Sequence, residues 1–378
     1  MNNSQSTLWD IEPHTQAKHD ILAYYLKAWF PILAQTQFTR RLLYVDGFAG
    51  PGEYTGGEPG SPVLALTVLL QHQLSARIIR PGNDLVFLFI ERDERRFRHL
   101  QNKLTTFSVP ENVHVHVVND TFEHYLTERL AELEERGLSL APSFIFIDPF
   151  GPTGFPMALV ERITIYPRSE VLINFAYQSL NEWFLPDTSK HPRLNEIYGS
   201  DRWRPALNIV RPMDKEVFLV QEYRRALEEH GWRGLSFRMV NKHNQTQYHL
   251  MFGTKHPLGM LKMKGAMWNV APDGNFQYSD FSDPGQLRLF TETMGDDYAQ
   301  ELAGLIWQNR RGSIVTKKEL LDNETAYHPT TIEKHLTRAL RVLEYETAPP
   351  RILAVTKSDG TSRRARTYPD GCAIQFAA

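Results

Sequence analysis

The chain has 378 residues, 42% of them hydrophobic and 23% charged, which is ordinary for a soluble globular protein and too long for one small core, so two domains are expected. The net charge of -2 gives no global signature of nucleic-acid binding, and any such contact must come from a local basic patch. A single cysteine, Cys372, excludes an internal disulfide framework and any cysteine-rich metal site, and the scattered histidines contain no His-x-x-x-His pair, so no metal site is expected.

Residues 1 to 10 are polar without an apolar signal core, and no apolar run approaches a membrane helix, so a cytoplasmic protein with no membrane attachment is expected. Residues 17 to 35 carry Ile21, Leu22, Tyr25, Leu26, Trp29 and Ile32, the spacing of an amphipathic helix that Pro31 should kink or end. An apolar run then closes in Asp46 and the turn Gly47-Phe48-Ala49-Gly50-Pro51-Gly52, which reads as a buried strand turning beneath a ligand. No Gly-Lys-Ser/Thr follows, so this is not a P-loop, and it does not match Gly-x-Gly-x-x-Gly. A second turn-rich stretch, residues 56 to 62, offers Ser61 as cap and Pro62 as first turn of a helix over 62 to 72.

Three further strands are predicted at 84 to 90, 113 to 118 and 143 to 147, ending in Glu91, in Asn119-Asp120 and in Asp148-Pro149-Phe150-Gly151-Pro152. Helices are expected at 93 to 105 and 122 to 135, and a fifth strand at 170 to 175. This alternation predicts a doubly wound, mostly parallel sheet with its acidic residues on one edge. Residues 178 to 212, with Trp183, Tyr198 and Trp203, read as a helical insert forming a lid or substrate wall. The runs 234 to 240 and 247 to 252 are joined by only five residues and must pair antiparallel, giving seven strands. A helix over 256 to 269 completes a first domain at 1 to 290.

From 296 to 378 the expected order is helix, short helix, a third helix over 328 to 343, and a β tail, a winged-helix plan. On the third helix Thr331, Lys334, His335, Arg338 and Arg341 are expected on the face opposite its apolar stripe. With Arg363 and Arg364 of the tail, Lys334 and Arg338 are the candidate contacts to DNA or RNA, and a protein-docking module is the plain alternative.

A ligand with a purine, a ribose and a charged sulfonium tail suits the first domain. Glu91 is placed to accept from ribose hydroxyls, Asp46 to receive the ammonium, and Asp120 to meet the adenine amino group, while the backbone from Phe48 and Ala49 to Gly50 and Gly52 runs beneath. The plainer roles are a helix-start acid for Glu91 and an N-cap for Asp120. Asp148-Pro149-Phe150 is the candidate reaction centre: Asp148 holds an amino group, Phe150 offers an aromatic face and Pro149 stiffens the turn. A structural β-turn is the alternative.

At these residues a resemblance emerges. Asp46 to Gly52 resembles methyltransferase motif I of the Phe-x-Gly-x-Gly kind, and Asp148-Pro149-Phe150-Gly151 resembles the Asp-Pro-Pro-Tyr motif IV of amino-methyltransferases, with Phe-Gly in place of Pro-Tyr. A parallel start finished by an antiparallel hairpin is the class I methyltransferase plan, so the expected fold is a Rossmann-like methyltransferase sheet. Over most of its length the sequence resembles the three-Cys-motif partner protein family, TcmP. The similar stretches are Lys18-His19-Asp20-Ile21-Leu22, Asp46 to Gly50, Gly57 to Pro62, Asp148 to Gly151, Met263-Lys264 and Ala266-Met267-Trp268. The resemblance implies S-adenosyl-L-methionine (SAM) as cofactor and a radical-SAM-type partner with three cysteines and an iron-sulfur cluster. It points to methylation of an amino group in nucleic acid together with that partner. The alternative is a non-catalytic adaptor that docks the partner and presents substrate.

Overall fold

The computed structural model describes residues 7–36, 40–149, 155–272, 276–279 and 291–378. Its main sheet has eight strands: β1 (Arg41–Asp46), β2 (Asp84–Ile90), β3 (Val113–Val118), β4 (Ser143–Ile147), β5 (Ser169–Phe175), β6 (Arg233–Val240), β7 (Thr246–Thr254) and β8 (Gln277–Ser279). They lie in the order β3-β2-β1-β4-β5-β7-β6-β8. The first five strands are parallel, and β7 runs antiparallel to both β5 and β6. The short edge strand β8 extends the seven expected. Chain order reverses between β1 and β4, and in open α/β sheets such a switch point opens a crevice at the strands' carboxyl ends.

Alternation along the strands sorts the core into two faces. Tyr44, Phe87, Phe89 and Phe144 point to one side, where Tyr25 and Trp29 of the N-terminal helix Pro13–Ala34 meet Phe144 and Phe30 meets Phe87 at ring distances of 5.2 to 6.1 Å. Each aromatic pair adds about 0.5–1.5 kcal/mol beyond burial. Val45, Ile90, Ile145 and Ile147 point to the other side, against the helices Phe122–Glu135, Met157–Thr164 and Pro212–Glu229.

The N-terminal helix does not stop at Pro31 but continues to Ala34. Pro31 has no N–H for the Lys27 carbonyl one turn back, and His72 Nε2 donates to that oxygen instead at 2.9 Å. Ser61 is the first residue of its helix rather than the cap, which is Gly60. The insert after β5 folds as short helical pieces, and Tyr198 and Trp203 are buried in the core while Trp183 stays exposed. Of these three aromatic residues Trp183 alone therefore remains available for a lid or wall.

The chain divides into two compact units, the first reaching Lys255 and regained at Tyr278, the second beginning at His256. The second thus takes the helix Pro257–Val270, which the sequence reading assigned to the first. Lys264 explains this: its buried ammonium donates to the carbonyls of Thr325 at 2.6 Å and His328 at 2.9 Å. Desolvation lowers its pKa to about 7. Helix Thr291–Arg310, β9 (Ile314–Thr316), helix Lys317–Leu320, helix Glu333–Arg341, β10 (Ile352–Thr356) and β11 (Ala373–Phe376) complete the unit, with its strands in the antiparallel order β10-β11-β9. Its core joins Leu302, Ile306, Leu320, Leu336, Leu340 and Ile374. No helix of the described residues is long and apolar enough to cross a membrane.

In the first unit Gly60 donates to the Gly52 carbonyl at 2.7 Å, and a Cβ on Gly60 would stand 2.8 Å from the Gly52 carbonyl carbon. Backbone cannot yield as a side chain can. Gly60→Ala is expected to destabilise the unit by about 1–3 kcal/mol, read as a lower urea midpoint at unchanged m-value.

Candidate active site

The glycine turn leaves β1 at Asp46 and is held from three sides. Gly47 donates to the Phe146 carbonyl and Ala49 to that of Ile90, both at 2.9 Å. Gly50 donates to Glu91 Oε2 at 2.9 Å, while Glu91 Oε1 accepts from the Asp93 amide at 2.7 Å. Glu91 is 4% exposed, so this carboxylate, just past the end of β2, is an internal tie between the turn and the start of helix Glu94–Leu104. Its two oxygens keep further lone pairs for a ligand. Gly50 sits at φ +61°, where a side chain is strained.

Two cavities flank this turn. The larger, about 530 Å³, is lined by Phe48, Glu91, Arg96, Asp120, Phe122 and Phe155 among others. The smaller, about 250 Å³, lies between the N-terminal helix, the backbone from Phe48 to Tyr54, and Asp148, Pro149, Asn174 and Tyr248. Of the expected cofactor contacts, Phe48 borders both cavities, Glu91 and Asp120 border the larger, and Ala49, Gly50 and Gly52 border the smaller. Phe150, Gly151 and Pro152 lie outside the described residues.

Asp120 is not the N-cap of the following helix; Thr121 is, accepting from the His124 amide. The Asp120 carboxylate instead accepts from the Thr121 amide at 2.7 Å and bonds His124 Nδ1 at 2.8 Å. Desolvation opposes its ionisation, but those bonds outweigh it and leave the pKa below the usual range.

Asp46 lines neither cavity. It is fully buried under the turn, with Oδ1 accepting from the Phe48 amide at 3.2 Å and Oδ2 making no hydrogen bond of good geometry. Burial pushes its pKa up to about 7, with Ser61 and the Phe48 amide partly offsetting that and the Asp148 charge adding to it. Direct receipt of an ammonium, as expected from sequence, is thus blocked by the turn above it in this conformation.

Asp148 also differs from expectation. Its Oδ2 forms an ion pair with Lys18, and its Oδ1 accepts from Asn174 Nδ2 at 2.7 Å. A carboxylate expected to hold a substrate amine is already held by two protein groups. The Lys18 ammonium also lies 5.4 Å from the centroid of the Tyr248 ring. The neighbouring His19 is buried, and desolvation, aided by the Lys18 charge, drives its pKa down to about 3, so it is neutral at pH 7. Lys18, Asn174 and Tyr248 were not among the expected site residues. Lys18 stood in a motif of the family resemblance without a role, and Asn174 was legible only as a polar residue near the end of an apolar strand.

In the second unit, Arg338 bonds Asp296 at 2.8 Å and pairs with Glu346. Arg363 pairs with Glu344, donates to the Thr367 carbonyl at 2.7 Å and lies over the Tyr368 ring. These two guanidinium groups are committed within the unit rather than displayed for phosphates. Lys334 and Arg364 are exposed, the former with its ammonium 4.8 Å from the Trp268 ring centroid. Thr331 and His335, expected on the polar face, are buried; His335 Nδ1 accepts from the Ile332 amide and its ring meets Trp268 at 4.9 Å.

No family model matches the chain, and no curated protein does. Among solved structures it is similar to Trm1 from Pyrococcus horikoshii in complex with S-adenosyl-L-methionine, at 10% identity and TM-score 0.38, over 71% of this chain and 61% of that one. The chain therefore spans less than two thirds of that protein. It is also similar to an O-methyltransferase from Bacillus cereus in complex with SAH, at 14% identity and TM-score 0.33, over 65% of this chain and 83% of that one.

Asp46 supplies a test. Between about pH 4 and pH 7 the folded chain keeps a proton on Asp46 that the unfolded chain has released, so this residue lowers stability as pH rises through that window. Asp46→Asn is expected to stabilise the chain at pH 8 by on the order of 2–4 kcal/mol and to change little at pH 4. Denaturant titrations at the two pH values measure the difference.

Proposed function

We propose that the protein is a SAM-dependent methyltransferase acting on an amino group of nucleic acid. The observation that carries this reading is the pair of cavities on either side of a glycine turn at the switch point of a parallel sheet, with acids on both sides. The larger cavity has the volume of a small-ligand site and presents Glu91 for a ribose, Asp120 for an amino group and Phe122 for a ring. The smaller borders Gly50, Gly52 and Asp148, and these residues would hold the methionyl portion and the acceptor. When bound, the cofactor supplies an electrophilic methyl group on a sulfonium. The chain's own contribution is to orient the acceptor.

The order helix, strand, helix, helix, strand, strand supports reading the second unit as a winged helix. With Arg338 and Arg363 paired internally, Lys334 and Arg364 are its remaining candidates for phosphate contact. The resemblance to the three-Cys-motif partner family supports a radical-SAM-type protein as the physiological companion. A second reading is favoured by one observation, the occupancy of both Asp148 oxygens by Lys18 and Asn174: the fold then serves as an adaptor that presents substrate to that companion.

Titration calorimetry with SAM, followed by transfer of tritiated methyl to nucleic acid from the native host, with and without the companion, separates these readings. Wild type is expected to bind SAM, Gly50→Val to lose binding through its strained φ, and Asp148→Ala to keep binding but lose transfer. Absence of SAM affinity in the wild-type chain rejects the methyltransferase reading. Binding without transfer under any condition leaves the adaptor.

A further inference from the structure

Residues 8 to 12 run ahead of the N-terminal helix in neither helix nor strand, yet their course is fixed to the glycine turn. The Trp9 carbonyl accepts from the Thr55 amide at 3.0 Å, just beyond the turn. The Trp9 ring meets Tyr54 edge to face at 5.9 Å, and the Arg96 guanidinium lies over it, 5.0 Å from a ring centroid. It also stands against Gly50, where an added Cβ would come within 3.7 Å of Trp9 Cη2. An indole offers a large apolar surface, and this one is only half-buried although three elements hold it.

Its surroundings place Trp9 at the ligand space. Trp9 borders the smaller cavity and Arg96 the larger, so their stack reaches from one to the other beside the turn. Gly50 is both the residue that donates to Glu91 Oε2 at 2.9 Å and the residue that Trp9 stands against. A ribose held by Glu91 is therefore next to backbone that Trp9 flanks. A tail running from that ribose into the smaller cavity, toward Gly52 and Asp148, meets the indole on its way.

We propose that Trp9 is a contact residue of the cofactor site, its indole packing against the amino-acid tail of SAM where that tail leaves the ribose and enters the smaller cavity. This rests on the methyltransferase reading and adds to it a wall that neither the glycine turn nor the acids supply. The contact is apolar and local. It serves the tail and not the adenosine, which lies in the larger cavity that Trp9 does not border.

The test uses the full chain and two ligands, S-adenosyl-L-homocysteine, which carries the tail, and adenosine, which lacks it. By titration calorimetry Trp9→Ala is expected to weaken the homocysteine ligand about tenfold, the share of roughly 60 Å² of apolar surface left uncovered. Trp9→Phe is expected to restore most of that loss, and adenosine affinity to stay within about twofold in both variants. In wild-type chain labelled with 5-fluorotryptophan, the Trp9 fluorine resonance, assigned by its loss in Trp9→Phe, is expected to shift with the homocysteine ligand and to stay in place with adenosine. An unmoved Trp9 resonance in a chain saturated with the homocysteine ligand, equal losses for both ligands in Trp9→Ala, or no loss for either overturns the proposal. Failure of the wild-type chain to hold the homocysteine ligand instead strikes the methyltransferase reading.

Discussion

The first unit is organised around one carboxylate that satisfies two backbone amides. Glu91 accepts from Gly50 on one side and Asp93 on the other, so the turn after β1 and the helix after β2 cannot drift apart. Charge-assisted bonds of this kind contribute about 1.5–3 kcal/mol each when buried. Removing the carboxylate would free the turn and leave two amides without partners, so binding and architecture depend on the same side chain. The two cavities exist as separate spaces because this tie holds the turn between them.

Beneath the turn the electrostatics are deliberately unbalanced. Asp46 is buried with one orphan oxygen, and Asp148 stands close enough to add to its discomfort. Lys18 is the compensating cation, delivered from a helix far away in sequence. A bound cation near the turn would relieve the remaining excess, and the chain meanwhile carries an acid held in an unfavourable state. Such tension between stability and site chemistry is common where a pocket must recognise charge.

Much of the first unit was legible because its signals are local. The run over 143 to 147 is apolar at every position after Ser143 and became the fully buried β4, and the helix over 122 to 135 was found at its observed bounds. The five-residue link to β7 forced an antiparallel pair and the structure has it. What escaped needed knowledge of distant packing. Lys18 looks like any polar position on an amphipathic helix until Asp148 is placed beside it. The helix Pro257–Val270 is apolar on several sides, so its pattern could not say which unit it joins; the carbonyls that receive Lys264 decide that. Arg338 and Arg363 read as a basic face because the acids that neutralise them come from other elements.

The small cavity is also a statement about the order in which this chain can mature. Its wall joins Lys18 to Asp148 across 130 positions, and Tyr248 of that wall reaches back 234 positions to the His14 carbonyl. During synthesis the amino-terminal helix leaves the ribosome first and must wait for nearly the whole of the first unit before its polar partners arrive. Contacts of such long sequence separation form late and slowly. A truncated or stalled chain therefore has the glycine turn but never the chamber next to it, whose wall is complete only once β7 has brought Tyr248.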